Sequence, residues 1–161
     1  MQPASYPSLR GRTVFVTGGA TGIGESFVVQ FAVQGCKVAF VDLEQEAGQA
    51  LEGRFAERTW FRCCDVTDVV ALQTAVRDAA AAMGPITILV NSVANDTRHD
   101  AADISIDTWR KGLAVNLDPA FAASVAVYPM MKAAGGGSII NVSSINALWG
   151  PVILPRKSGR G

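Results

Sequence analysis

Thr13-Val14-Phe15-Val16-Thr17-Gly18-Gly19-Ala20-Thr21-Gly22-Ile23-Gly24 decides how this chain is read. Residues 13–17 are β-branched and aromatic, as a buried strand requires, and they run without a linker into a glycine-rich turn. The turn opens onto Ile23, Phe27 and Phe31, spaced as one face of a helix that Gly35 closes. Glycines 18, 22 and 24 let the backbone turn tightly and come close to a ligand. The helix start adds unpaired N–H groups and the positive end of a dipole, so strand, turn and helix together suit a pyrophosphate. Taken alone, the same letters also describe an ordinary glycine-rich strand-to-helix turn.

Asp42 weighs toward the first reading. It follows a second apolar run, 37–41, and stands 18 residues after Gly24. That is close to the ~20-residue spacing at which a carboxylate accepts hydrogen bonds from an adenosine ribose. A carboxylate there also repels a 2′-phosphate, which favours NAD over NADP. Asp42 is equally suited to the first turn of the next helix, and the two roles are compatible.

Further out, the chain alternates two kinds of segment. Apolar runs at 59–63, 86–90 and 138–142 read as further buried strands. Helical stripes lie between them: Leu43, Ala47, Leu51 and Phe55, then Leu72, Val76, Ala79 and Met83, the latter closed by Gly84-Pro85. Residues 106–134 form a longer helical region with Pro119 and Pro129 inside it, where a kink or break is expected. Strand and helix in alternation, joined by short connections and right-handed crossovers, specify an α/β fold, a doubly wound parallel sheet of Rossmann type. One domain is expected over 9–154, preceded by a flexible arm (1–8) that holds two prolines, and no fixed-period repeat or inter-domain linker interrupts it.

Composition narrows the partners. The 161 residues carry 14 Lys+Arg and 14 Asp+Glu for a net charge of zero, so the basic stripe needed on nucleic acid or an anionic membrane surface is missing. No apolar run reaches the ~20 residues of a membrane span without a proline, and no charged-then-apolar leader opens the chain. Three cysteines, Cys36, Cys63 and Cys64, show no metal or disulfide spacing and suit a reducing, cytoplasmic compartment.

With these residues in place, the sequence resembles the short-chain dehydrogenase/reductase family of nicotinamide-dependent oxidoreductases. The glycines follow that family's GxxxGxG form. Asp65-Val66 after the third strand resembles its adenine-holding pair, and Asn91-Ser92-Val93-Ala94 resembles its NNAG motif. Asn116 in Val115-Asn116-Leu117 resembles the asparagine of its long fourth helix, and residues 137–144 resemble the fifth strand ending in the catalytic serine, here Ser144. The resemblance covers residues 9–154. It implies strand order 3-2-1-4-5 with the sheet truncated after the fifth strand, and NAD as cofactor with NADP disfavoured. It implies Ser144 and Asn116 as catalytic residues. The cofactor contacts it implies are Gly18, Thr21, Gly22, Ile23 and Gly24 from the turn, Asp42 and Leu43, Asp65 and Val66, and Asn91. A small-molecule substrate and homo-oligomeric full-length relatives follow too, with Leu113, Phe121 and Val125 left uncovered on the long helix.

The departures carry equal weight. Ser92-Val93 replaces the usual Asn-Ala, and residues 95–99 look like the loop of members that oxidise aldoses to lactones. His99, the only histidine, reads either as an exposed loop residue or as a substrate contact. About a dozen residues after Ser144 the family places Tyr-x-x-x-Lys, whose Tyr is the general acid/base. Here residues 154–161 read Leu-Pro-Arg-Lys-Ser-Gly-Arg-Gly, a non-family tail from Pro155 onward. Tyr6 and Tyr128 do not match the motif, and Lys157 lacks surroundings that would lower its pKa. Two functional readings follow: an NAD-dependent oxidoreductase of a sugar or secondary alcohol, impaired as it stands, and a non-catalytic dinucleotide-binding remnant of a truncated or frameshifted gene.

Overall fold

A computed structural model describes residues 4–97, 99 and 104–144; the tail at 155–161 lies outside them. The elements run β1 (Thr13–Thr17), α1 (Gly22–Val33), β2 (Lys37–Asp42), α2 (Gln45–Arg54), β3 (Thr59–Cys63), α3 (Val69–Met83), β4 (Ile86–Asn91), α4 (Ile106–Asn116), α5 (Asp118–Ala133) and β5 (Ser138–Asn141). All pairings are parallel, in the order β3-β2-β1-β4-β5, as the family resemblance implied. Every residue of β1 is buried, because helices cover both faces of the sheet. Side chains alternate between two cores: Phe15, Ala39 and Leu89 meet α3 and α5, while Val14, Val16, Val38 and Phe40 meet the α1 and α2 side.

Helix α1 turns a different face inward from the one its large apolar residues suggest. Gly24, Val28 and Ala32 are buried, whereas Ile23 is 65% exposed and Phe27 and Phe31 are only partly covered. Short side chains let the helix lie close on the sheet, and the rings are displaced to its flank. On the same flank Gln34 holds residues near the start of the described chain: Tyr6 N donates to Gln34 Oε1 at 2.9 Å, and Gln34 Nε2 donates to Ala4 O at 2.8 Å. A 3-10 turn at Pro7–Leu9 follows.

The break expected in the long helical region falls at Leu117, with φ −123° and ψ −53°. Pro119 has no N–H for the carbonyl of Val115, and as an early residue of α5 it needs none. Pro129 does not end α5; it is exposed, as are Phe121 and Val125, so the hydrogen bond it cannot donate is missing on the outward side of the helix. By length and composition alone, 106–133 is the one helical stretch among the described residues that could cross a membrane. In the fold it is two helices, and Ala122, Ala123, Val127 and Met131 enter the core. Leu113 is half-buried, while Phe121 and Val125 are exposed, as is every residue of β5.

Candidate functional site

Parallel pairing puts the chemistry at one edge. Thr17 is level with Val41 and Asn91, Asp42 with Cys63, and Asn91 with Asn141. The chain crosses from one side of β1 to the other between β3-β2-β1 and β4, and at such a switch point the loops beyond the strand ends diverge and leave a crevice. A cleft of about 370 Å³ lies there.

Its first wall is the glycine turn. Gly18 sits at φ +69°, and the N–H groups of Gly18 and Gly19 both donate to Val41 O, at 2.8 and 3.1 Å, which ties the turn to β2. A Cβ at Gly24 would run into the carbonyl of Gly18, so only glycine lets α1 start against the turn. Thr21, extended at the N-cap of α1, makes no side-chain capping bond, so the first N–H groups of α1 keep their hydrogens for an incoming group. Gly18, Thr21, Ile23 and Gly24 line the cleft. Gly22 shapes the turn from a left-handed φ of +58°.

Asp42 and Leu43 form the second wall. The Asp42 carboxylate accepts from Ala20 N at 2.9 Å and from Glu44 N at 3.2 Å, so it braces the turn and the approach to α2 while its remaining lone pairs face the cleft. Asp65 and Val66 supply the third wall. Asp65 Oδ1 accepts both the N–H and the hydroxyl of Thr67, at 2.9 and 2.8 Å, and these bonds hold the carboxyl below its ordinary pKa. Sequence reading missed Cys64, Thr67 and Val115, which also line the cleft. The Asp-x-Thr spacing of a local side-chain turn could have flagged Thr67. Burial pushes the Cys64 thiol up, reinforced by Asp68 and Asp65.

Ser92, Val93 and Ala94 close the far end, with Ser92 N donating to Thr17 Oγ1 at 3.1 Å. Asn91 lies beneath them, 8% exposed, and its Nδ2 donates to Asn141 Oδ1 at 2.8 Å. Asn116 holds the loop after β4 by both backbone groups of one residue: Asn95 N donates to its Oδ1 at 2.7 Å, and its Nδ2 donates to Asn95 O at 3.1 Å. A neighbouring cavity of about 620 Å³ shares Val115 with the cleft and is lined by Asn95, Thr97, His99, Trp109 and Lys111 among others. Ser144, three residues past β5, is exposed and outside the lining of the cleft. The structure thus brings together the turn, Asp42, Leu43, Asp65 and Val66, sets Asn91 and Asn116 behind them, and leaves Ser144 apart.

A family model described as short chain dehydrogenase matches residues 12–154. The chain belongs to the short-chain dehydrogenase family. Its relatives in that family of oxidoreductases include "Probable galactose dehydrogenase GalD" of Rhizobium meliloti, 40% identical over 159 residues, with 96% of this chain and 62% of the relative covered. D-xylose 1-dehydrogenase of Caulobacter vibrioides is 38% identical over 149 residues, covering 91% of this chain and 58% of the relative. Among solved structures, a double mutant of a Serratia marcescens short-chain dehydrogenase/reductase superposes with a TM-score of 0.82 at 33% identity, over 88% of this chain and 58% of that one. The chain therefore spans about 60% of the length of these short-chain dehydrogenases.

Proposed function

We propose that the cleft binds NAD(H), and that the protein's lineage is that of an NAD-dependent dehydrogenase acting on a sugar or small secondary alcohol. The carrying observation is the Asp42 carboxylate held beside an uncapped, glycine-started helix end. The helix end suits a pyrophosphate; the carboxylate suits two ribose hydroxyls and opposes a 2′-phosphate. Asp65 and Val66 would flank the adenine. The bound nicotinamide supplies hydride transfer, and the residues of this chain orient it: the Asn116 clamp on Asn95 fixes the loop between the cleft and the neighbouring cavity. The names of the relatives, a galactose and a xylose dehydrogenase, support a polyhydroxylated substrate in that cavity, where Asn95, Thr97, His99 and Lys111 offer polar groups. Unpaired cysteines support a reducing compartment such as the cytoplasm, and the uncovered face of α5 supports self-association of full-length relatives.

One observation favours the second reading, binding without turnover. Oxidising a carbinol requires a group that takes its proton, and neither tyrosine is placed for that role: Tyr6 and Tyr128 line neither the cleft nor the neighbouring cavity. The 161-residue chain is therefore expected to bind cofactor and to turn over slowly, since a positioned general acid/base contributes ~10²–10⁴ in rate. The test measures NADH formation with galactose, xylose and small polyols, for this chain and for the chain extended with a relative's C-terminal part carrying Tyr-x-x-x-Lys. Activity confined to the extended protein supports the proposal. Equal activity in both would overturn the second reading and point to Lys157 or His99 as the proton carrier. Inactivity in both would count against the dehydrogenase assignment.

A further inference from the structure

Behind the cleft is a small, partly enclosed polar cavity of about 50 Å³. Its polar lining comes from four places in the sequence: Thr17 at the end of β1, Asn91 at the end of β4, Asn141 at the end of β5, and Asn116 at the break between α4 and α5. Asn91 is more than nine-tenths buried, and although its Nδ2 is bonded to Asn141, its Oδ1 has no hydrogen-bond partner. Exchanging the oxygen and nitrogen of both amides does not remove the problem. It would let Asn141 donate to Asn91 and leave the Asn91 amino group unserved instead. One polar atom of Asn91 is left over either way.

The rest of the lining adds further hydrogen-bonding groups. Thr17 Oγ1 accepts from Ser92 N, which leaves the hydroxyl hydrogen to donate. Val115, also in the lining, has a carbonyl that Pro119 cannot serve. A buried polar atom without a partner is rare in folded proteins, and the common remedy is a water making about three bonds. A water needs roughly 10–15 Å³ on the same measure of volume, so this cavity has room for one.

We propose that this cavity is a binding site for an ordered water, which serves Asn91 and joins the ends of β1, β4 and β5 to the break between α4 and α5. Water fits where a fixed donor or acceptor would not, because it can offer either function to the leftover amide atom. Val93 and Val115 line both this cavity and the cleft, so the water underlies the cleft's inner end without belonging to it. The inference does not depend on what the cleft binds.

Two measurements test it. A crystal structure of the chain, at a resolution that shows solvent, should contain a peak within hydrogen-bond distance of the Asn91 amide and of Thr17, Asn116 or Asn141. An empty cavity, or an Asn91 amide with both atoms on protein partners, would overturn the proposal. Thermal melting then compares Ala120→Ser with Ala120→Cys, two near-isosteric side chains at a position lining the cavity. The serine hydroxyl can take over the water's bonds and the thiol does so poorly, so the serine variant should melt at the higher temperature. A cysteine variant that melts at the same or a higher temperature would show that the cavity has no need of a polar occupant.

Discussion

Replacing Asp42 with Asn separates the two tasks of that side chain. One carboxylate oxygen holds Ala20 N–H at 2.9 Å and the other Glu44 N–H at 3.2 Å. The amide oxygen of Asn can keep the bond to Ala20, so the turn should survive the change. What disappears is the negative charge. Unit charges about 5 Å apart repel by roughly 0.8 kcal/mol in water and several times that at an effective dielectric near 20. For a half-buried carboxylate facing a nearly doubly charged 2′-phosphate, about 2 kcal/mol is a middle value, or roughly 30-fold in the ratio of dissociation constants. Isothermal titration of the wild-type chain should show NADH bound more tightly than NADPH by about that factor, and Asp42→Asn should bring the two near parity. The effect should shrink in high salt as the charges are screened. A variant that still binds but keeps the wild-type ratio to within about a factor of two would refute the assignment of selectivity to this carboxylate.

Helix α2 offers a paired test of packing: Gly48→Ala would push a Cβ into the Phe61 ring, whereas Gly53→Ala meets open space. Urea denaturation should show the first destabilising by about 1–3 kcal/mol and the second stabilising by about 0.4–1 kcal/mol. Thr67→Val deletes one of the two bonds that lower the Asp65 pKa, so an NMR titration should find the Asp65 midpoint moved up toward the ordinary carboxylate value. A depressed folded-state pKa contributes stability above the unfolded value, so the small advantage of wild type over this variant should be present at neutral pH and fade as pH falls below about 4. Exposed Ile139 and Ile140 on β5, with Phe121 and Val125 on α5, should make the chain self-associate at micromolar concentration. Sedimentation velocity should show this, and Ile140→Lys should reduce it.

Much of the fold was legible because β1, β2 and β4 are short, largely buried and rich in β-branched residues, and because glycine and Asp42 mark where strands give way to turns; β3, expected to be buried, buries only Thr59, because it is a sheet edge. The inward face of α1 was not legible from hydrophobicity. Close packing on the sheet selects the small residues Gly24 and Ala32, which periodicity discounts in favour of Phe27 and Phe31. The walls of the cleft were readable because each follows a strand end directly. The bond between Asn91 and Asn141, 50 residues apart, becomes visible only once the register of β4 and β5 is known. Asn116 had a motif to identify it, yet its clamp on Asn95 depends on a loop that residue spacing does not specify.

The central claim is that the crevice at the ends of β1 to β4 is a dinucleotide site, and amide NMR of the 161-residue chain titrated with NAD⁺ tests it most directly. Saturable shifts are expected at Gly18 to Gly24, Asp42 and Leu43, Asp65 to Thr67, and Ser92 to Ala94, with Thr13, Lys37 and Thr87 at the opposite end of the sheet unmoved. Shifts that do not saturate, or that gather at that opposite end, would contradict it.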